Sequence, residues 1–292
     1  MNADVKPLAE RFGAEVTGFD VKTLSGQTQL DWVVGLLDRY QLVVFRDQEL
    51  GPEELLAWGR RIGPVQKHIL DQFHLEGHSE IYVLSNLRRD GKPLGNAYDG
   101  ITWHTDLSGD KNARAYTSLY SLENPSKGGD TLFSSTQDAW DALPPGEKES
   151  VEKMRAVYSY EQLYNSRREM LAAAGVDNHY APLAGEQLEK ARQMRRVEPL
   201  VRTHPNSGRK GLYLGTLSFE SIEGLPAAES RAVMDRLVDY ATGEAFRYAH
   251  RWKLHDLIIW DNRGLMHVAT PYDKVNERRL VYRLSIEGAP PL

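Results

Sequence analysis

The stretch Trp103-His104-Thr105-Asp106 constrains the fold of this chain more than any other. A histidine and an aspartate two positions apart face the same side of an extended backbone and nearly opposite sides of a helix. If both are to reach one metal ion, the backbone here must be β-like. Two ligands hold a metal poorly, and the third candidate is His267, which follows the apolar run Asp256-Leu257-Ile258-Ile259-Trp260-Asp261-Asn262. That run reads as a buried strand closed by a turn. The fold must then bring β segments from opposite halves of the chain side by side.

Two histidines and one carboxylate leave one face of a metal open, which is the ligand set of non-haem Fe(II) oxygenases. A zinc hydrolase with a bound water uses similar ligands, and a non-catalytic metal- or anion-binding protein is a third reading. The chain has no cysteine, which excludes thiolate ligation and a disulfide framework. The formal charge of -5 gives no electrostatic reason to expect nucleic acid or an anionic membrane as partner. No apolar run approaches membrane-spanning length, and Met1-Asn2-Ala3-Asp4 lacks a basic-then-apolar export signal, so the cytoplasm is the expected compartment. A hydrophobic content of 41% is enough for a proper core.

Along the chain, Ala14 to Phe19 reads as a strand, and Thr28 as the N-cap of a helix to Tyr40. Gln41 to Arg46 is a β-branched strand, and Pro52 opens a helix, Glu53 to Ile62, that Gly63-Pro64 stops. Ile81 to Leu84 is another strand. The polar segment 86–100, with Arg88, Arg89 and Lys92, is a loop of a length that is usually either functional or disordered inside a compact domain; because it runs straight into the metal stretch it is read as a substrate-covering lid, with a solvated charged loop as the alternative. Strands follow at Ala115 to Leu122 and after the turn Ser126 to Asp130. From Thr136 to about Arg196 the apolar spacing predicts helix throughout, with Val151, Met154 and Val157 on one face. Pro199 to His204 and Gly211 to Gly215 form a hairpin-like unit, Pro226 to Tyr240 a helix, and Phe246 to Trp252, Leu257 to Trp260 and Leu280 to Ile286 three strands. No repeat or linker is visible. The reading is one mainly β domain with helices over 1–292, barrel-like, with a helical insertion at about 136–196.

Trp103-His104-Thr105-Asp106, Gly128-Gly129-Asp130-Thr131, Trp260-Asp261-Asn262-Arg263 with His267, and Arg278-Arg279 with Arg283 resemble the motifs of a family. It is the Fe(II)/2-oxoglutarate dioxygenases typified by taurine dioxygenase and 2,4-dichlorophenoxyacetate dioxygenase. The similarity runs nearly the whole chain, and Val201 to Pro205, Ser207 to Lys210 and Ile222 to Pro226 are closer to the herbicide-cleaving branch. The resemblance implies an α+β chain with a double-stranded β-helix, or jelly-roll, core and outer helices.

It also implies Fe(II) on His104, Asp106 and His267, with 2-oxoglutarate and O2 consumed, succinate and CO2 released, and a substrate C–H bond hydroxylated. The far carboxylate of 2-oxoglutarate needs a rigid guanidinium fork, which the resemblance assigns to Arg279, with Arg278 beside it as the alternative, and to the hydroxyl of Thr131. Arg283, four residues on and so on the same face of a strand, is the implied clamp for an anionic group of the prime substrate. His68 falls near a position that contacts substrate in the sulfonate branch. The remaining histidines, His74, His78, His179, His204, His250 and His255, read as ordinary structural residues. The expected substrate is a small organic anion, an aryloxyalkanoate-like carboxylate ahead of a taurine-like sulfonate, since Gly100 stands where the taurine enzyme offers an asparagine. A homo-oligomer, dimer or tetramer, is implied as well.

Overall fold

The strand Leu257–Asp261 shows how the core is built. Leu257 and Ile259 enter one apolar cluster, while Ile258 and Trp260 enter another on the opposite face. This is the alternation of a strand buried on both sides. Leu42–Phe45 and Tyr116–Glu123 flank it as antiparallel neighbours, and Leu280–Ile286 pairs with the far side of Tyr116–Glu123. These strands form the middle of a nine-stranded sheet that runs from Asp4–Pro7 at one edge to His74–Leu75 at the other.

A second sheet of three strands, Arg247–His250, Thr131–Ser135 and Leu265–Ala269, lies against it. Phe133 and Leu265 from the small sheet meet Leu42, Val44, Leu119, Ile258, Trp260 and Val281 from the large one. On the outer face of the large sheet, Val33, Leu36 and Leu37 of the helix Gln27–Tyr40 and Leu55, Leu56 and Trp58 of Pro52–Ile62 fill a separate cluster. Each large side chain buried in this way contributes about 1.5–3 kcal/mol. The helices Thr136–Ala142 and Ala227–Ala241 cover the other side. The computed structural model describes residues 3–68, 71–106, 114–173, 175 and 182–292. No helix among them is long and apolar enough to cross a membrane.

Several expectations need correction. The stretch 136–196 is not helical throughout, because Arg155–Ser159 is a strand paired with Arg195–Pro199 and Phe219–Ile222. The apolar spacing of Val151, Met154 and Val157 fits a helix, but pairing on both edges of this segment overrides it. Residues 174 and 176–181 of the insertion, including His179, lie outside the described residues. The first long helix is capped by Gly26, leaving Thr28 inside it. Leu265–Ala269, beyond the turn that closes the apolar run, is a further strand, and it carries His267. Segment 86–100 begins as a small hairpin, Arg88–Arg89 against Lys92–Pro93. It then returns along the strand His78–Ser85 through backbone bonds between Asn96 and Val83 and Ser85.

Candidate active site

His104 sits in an isolated antiparallel bridge opposite His267 rather than within a full strand. Its N–H donates to the His267 carbonyl at 3.1 Å, and the N–H of His267 donates back at 2.8 Å. This bond pair brings the two distant segments together. Their ring centroids are 4.1 Å apart. Asp106 completes the group, with Oδ1 3.6 Å from His104 Nε2 and Oδ2 3.8 Å from His267 Nε2. All three ligand atoms lie within 4.8 Å of one another. The N···O separations are too long for hydrogen bonds and match donors arranged around a shared centre.

The protonation states fit a cation there. His104 Nδ1 lies 2.7 Å from the Thr102 carbonyl, which can only accept, so Nδ1 carries a proton and Nε2 is the ring nitrogen turned toward Asp106. Burial, together with the neighbouring His104, pushes His267 down to about 3, leaving a neutral imidazole. Burial also opposes ionisation of Asp106, but Arg283, His267, His104 and a hydrogen bond from Thr117 outweigh it and hold the carboxyl well below the usual range.

Neighbouring residues fix the carboxylate. The Thr117 hydroxyl donates to Asp106 Oδ2 at 2.7 Å, and Asn262 Nδ2 donates to Thr117 Oγ1 at 2.9 Å. Trp260 Nε1 in turn donates to Asn262 Oδ1 at 2.8 Å, and Thr105 donates to the Asn262 carbonyl at 2.9 Å. The Trp260-Asp261-Asn262 motif thus works as a bracket around Asp106. Sequence reasoning missed Thr117; its signal is a hydroxyl on the inward face of a buried strand, in step with Leu119.

Arg279, Val281 and Arg283 share one face of their strand, and Val281 lies in the cluster between the sheets. Both arginines therefore point inward and are buried. Arg278 points outward and pairs with Glu123 at 2.6 Å, with two-thirds of its side chain exposed. Asn86 holds the turn before Arg279, accepting from the Arg279 N–H and donating to the carbonyls of Lys274 and Glu277. Arg279 has no ion-pair partner among the described residues, and its Nε is buried without a hydrogen bond. Burial pulls its pKa down, opposed only by Tyr272. A buried guanidinium without an anion is costly and fits a carboxylate supplied from outside.

Thr131 faces the same pocket, whose polar lining also includes Asp99, His104, His267, Arg279 and Arg283. Leu84, Leu119, Trp260 and Ala269 form its apolar wall. The Gly128-Gly129 turn delivers Thr131 to this place: both glycines have positive φ, and a Cβ would fall 2.3 Å from the Pro271 carbonyl oxygen and 2.6 Å from Pro125 Cγ, respectively.

Arg283 is engaged on both sides, by Asp106 Oδ1 at 2.8 Å and Asp99 Oδ2 at 3.1 Å. Asp99 was not singled out from sequence; it precedes Gly100, whose positive φ of 74° turns the chain toward His104. His68 is buried against Tyr82, ring centroids 3.9 Å apart. Burial, then the Arg283 charge, pushes it down to about 3. Arg88, Arg89 and Lys92 lie at the exposed hairpin tip and line no part of the pocket; only the end of that segment, at Asp99 and Gly100, reaches it. His204 and His250 are buried structural histidines, bonded to Asp261 at 2.9 Å and Asp256 at 3.1 Å.

Comparison with known proteins agrees with this geometry. The family model described as "Taurine catabolism dioxygenase TauD, TfdA family" matches residues 4–285. The chain is 31% identical over 300 residues to an alpha-ketoglutarate-dependent 2,4-dichlorophenoxyacetate dioxygenase of Cupriavidus pinatubonensis, covering 99% of each. It is 33% identical to an (S)-phenoxypropionate/alpha-ketoglutarate-dioxygenase of Sphingobium herbicidovorans, over 98% of this chain and 96% of that one. The crystal structure of AAD-2 in complex with Mn(II) and N-oxalylglycine superposes with a TM-score of 0.78 at 26% identity, over 100% of this chain and 99% of the other. The two-sheet core is accordingly the family's jelly roll. The chain belongs to the TauD/TfdA family and is a 2-oxoglutarate-dependent dioxygenase, an oxidoreductase of a family that uses Fe(II), 2-oxoglutarate and O2 on small organic substrates.

Proposed function

We propose that this chain hydroxylates a small organic anion, with an aryloxyalkanoate-like carboxylate as the substrate class. In this reading His104, Asp106 and His267 hold Fe(II), Arg279 and Thr131 hold the far carboxylate of 2-oxoglutarate, and Arg283 with His68 meets the prime substrate. Bound there, Fe(II) supplies the redox chemistry by which 2-oxoglutarate and O2 become succinate and CO2 while a C–H bond is hydroxylated. Thr117 and Asn262 keep the Asp106 carboxylate aimed between the histidines. Low pKa values keep Asp106 charged and His267 neutral as ligands at neutral pH. The observation that carries the reading is Arg279, a buried cation with no anion of its own among the described residues, in one pocket with Thr131 and both histidines. A zinc hydrolase would have no use for that cation, nor for a hydroxyl beside it.

The apolar wall of Leu84, Leu119 and Trp260 supports an apolar-tailed acid. The two herbicide-acid dioxygenases above, similar over nearly the whole chain, support it as well. A sulfonate, the second reading, is in keeping with the family's name and would be met by the same arginine. Anaerobic titration with Fe(II) and 2-oxoglutarate tests the cosubstrate site: a visible metal-to-ligand charge-transfer band is expected in the wild type, weakened in Arg279→Ala and lost on adding O2. No band with iron bound would refute it. Succinate release across a panel of aryloxyalkanoates and sulfonates then ranks the substrates, and higher turnover of sulfonates would overturn the carboxylate assignment.

A further inference from the structure

We infer that Trp252 is a positioning residue for the cosubstrate, acting through the Thr131 hydroxyl. The inference rests on the reading that Thr131 and Arg279 hold the far carboxylate of 2-oxoglutarate. Trp252 Nε1 donates to Thr131 Oγ1 at 3.1 Å. An indole N–H can only donate, so the hydroxyl must accept from it and has its own proton to give elsewhere. Thr131 is buried, and no group among the described residues accepts that proton. The hydroxyl lines the pocket shared with Arg279. Trp252 thereby commits Thr131 to being a donor toward the pocket.

The indole is itself held in place. Its ring meets that of His250 edge-on, with centroids 4.8 Å apart and planes at 85°. His250 is fully buried and pairs with Asp256 Oδ2 at 3.1 Å. The same oxygen takes Arg46 Nη1 at 2.6 Å and the Lys253 N–H at 2.8 Å. His250 and Thr131 are also register partners across the small sheet. A buried ion network thus fixes the tryptophan, and the tryptophan fixes the direction of the hydroxyl.

This arrangement carries a selectivity. Arg279 has donors only, and Thr131, answered by Trp252, is turned into a donor as well. The pocket end then accepts a carboxylate, which has only acceptors, and disfavours an amide, whose NH2 would face one of the two donors and leave it unanswered. Without Trp252 the Thr131 hydroxyl is free to rotate and accept, and the distinction fades.

The test is calorimetric titration of the Mn(II)-loaded protein with 2-oxoglutarate and with its amide, 2-oxoglutaramate, which needs no turnover. Trp252→Phe is expected to weaken 2-oxoglutarate binding about three- to tenfold, the worth of one neutral hydrogen bond, and to narrow the preference for acid over amide. Its effect is expected to vanish in a Thr131→Val background, because both changes remove the same interaction. Melting temperature and Mn(II) affinity serve as controls for folding, since a general structural defect would move both. Wild-type affinity in Trp252→Phe, or losses that multiply in the double variant, would overturn the inference. So would equal binding of acid and amide by the wild type, a measurement that needs no variant. If Arg279→Ala also keeps wild-type affinity, the cosubstrate assignment itself falls and this inference with it. If Arg279→Ala loses binding while Trp252→Phe does not, only the role of Trp252 is refuted.

Discussion

Replacing Arg279 by methionine is expected to make the protein more stable while removing its capacity to respond to 2-oxoglutarate. Arg279 is 8% exposed, its Nε has no hydrogen-bond partner, and no carboxylate among the described residues pairs with it. Replacing even paired buried ionic groups by apolar side chains of similar volume is often neutral or stabilising by about 1–4 kcal/mol, and an unpaired one has no Coulombic gain to lose. The lower half of that range is the fair expectation here, about 1–2 kcal/mol, because part of the arginine stem already packs against apolar neighbours. For a chain of this size that raises the melting temperature by roughly 2–4 °C. Adding 2-oxoglutarate at about a hundred times its dissociation constant stabilises the wild type by about 2.7 kcal/mol and does nothing for the variant. Scanning calorimetry of the Mn(II)-loaded proteins, with and without 2-oxoglutarate, reads both effects. A melting temperature that falls in Arg279→Met without 2-oxoglutarate would mean that the guanidinium is already paired in the ligand-free protein. Arg279 would then not be a cation awaiting an anion from outside.

Thr117→Val keeps the side-chain shape but removes the donor to Asp106 Oδ2 and the acceptor for Asn262; metal affinity is expected to fall about 10- to 100-fold, measured by competition with a chelating dye. Gly128→Ala places a methyl group 2.3 Å from the Pro271 carbonyl oxygen at a φ of 75°, so the backbone must move; a loss of about 1–3 kcal/mol is expected in chemical denaturation, together with weaker 2-oxoglutarate binding. His68 sits at about 3 in the folded protein against an ordinary value of 6.5, so the unfolded chain takes up the proton first. Its stabilising contribution is complete above 6.5 and is lost as pH falls toward 3. Between pH 7 and 5 the wild type should therefore lose about 2 kcal/mol more than His68→Gln, read from denaturant midpoints at each pH.

The metal-ligand candidates were legible because their chemistry is rare and their spacing needs a particular backbone: His104 and Asp106 two apart, and His267 behind an apolar strand. The inward pairing of Arg279 and Arg283 was legible for the same reason, since even spacing on a strand is a local rule. The strand Arg155–Ser159 was not, because its identity depends on the two partners beside it, Arg195–Pro199 and Phe219–Ile222, and nothing within the segment contradicts a helix. Thr117, Asp99 and Trp252 were missed on similar grounds. A threonine, an aspartate and a tryptophan are common residues, and only their places against Asp106, Arg283 and Thr131 give them meaning. The cations of segment 86–100 erred in the other direction: charge near a metal stretch in sequence implied charge near it in space, yet the hairpin carries Arg88, Arg89 and Lys92 outward.

Charge balance in the pocket bears on which acids it would take. Among the described residues its fixed charges are Arg279 and Arg283 against Asp99 and Asp106. A divalent metal and a doubly charged cosubstrate add equal and opposite charge, so these four side chains leave the loaded site close to neutral, while Arg167 acts on Asp99 and His68 from outside the lining. Selectivity for an acid must then be local. Asp106 is the carboxylate a metal would claim, which leaves Arg283 answered mainly by Asp99 at 3.1 Å. An arginine with one edge already occupied makes a weaker clamp than a free one, because the incoming group must share it with a carboxylate in place. In the proposed reading binding draws more on the wall of Leu84, Leu119 and Trp260, where each buried methylene contributes about 0.8 kcal/mol. A small polar zwitterion gains little there. An acid with an aromatic or alkyl tail gains several such increments, and this is the physical ground for ranking the aryloxyalkanoate class ahead of the short sulfonates.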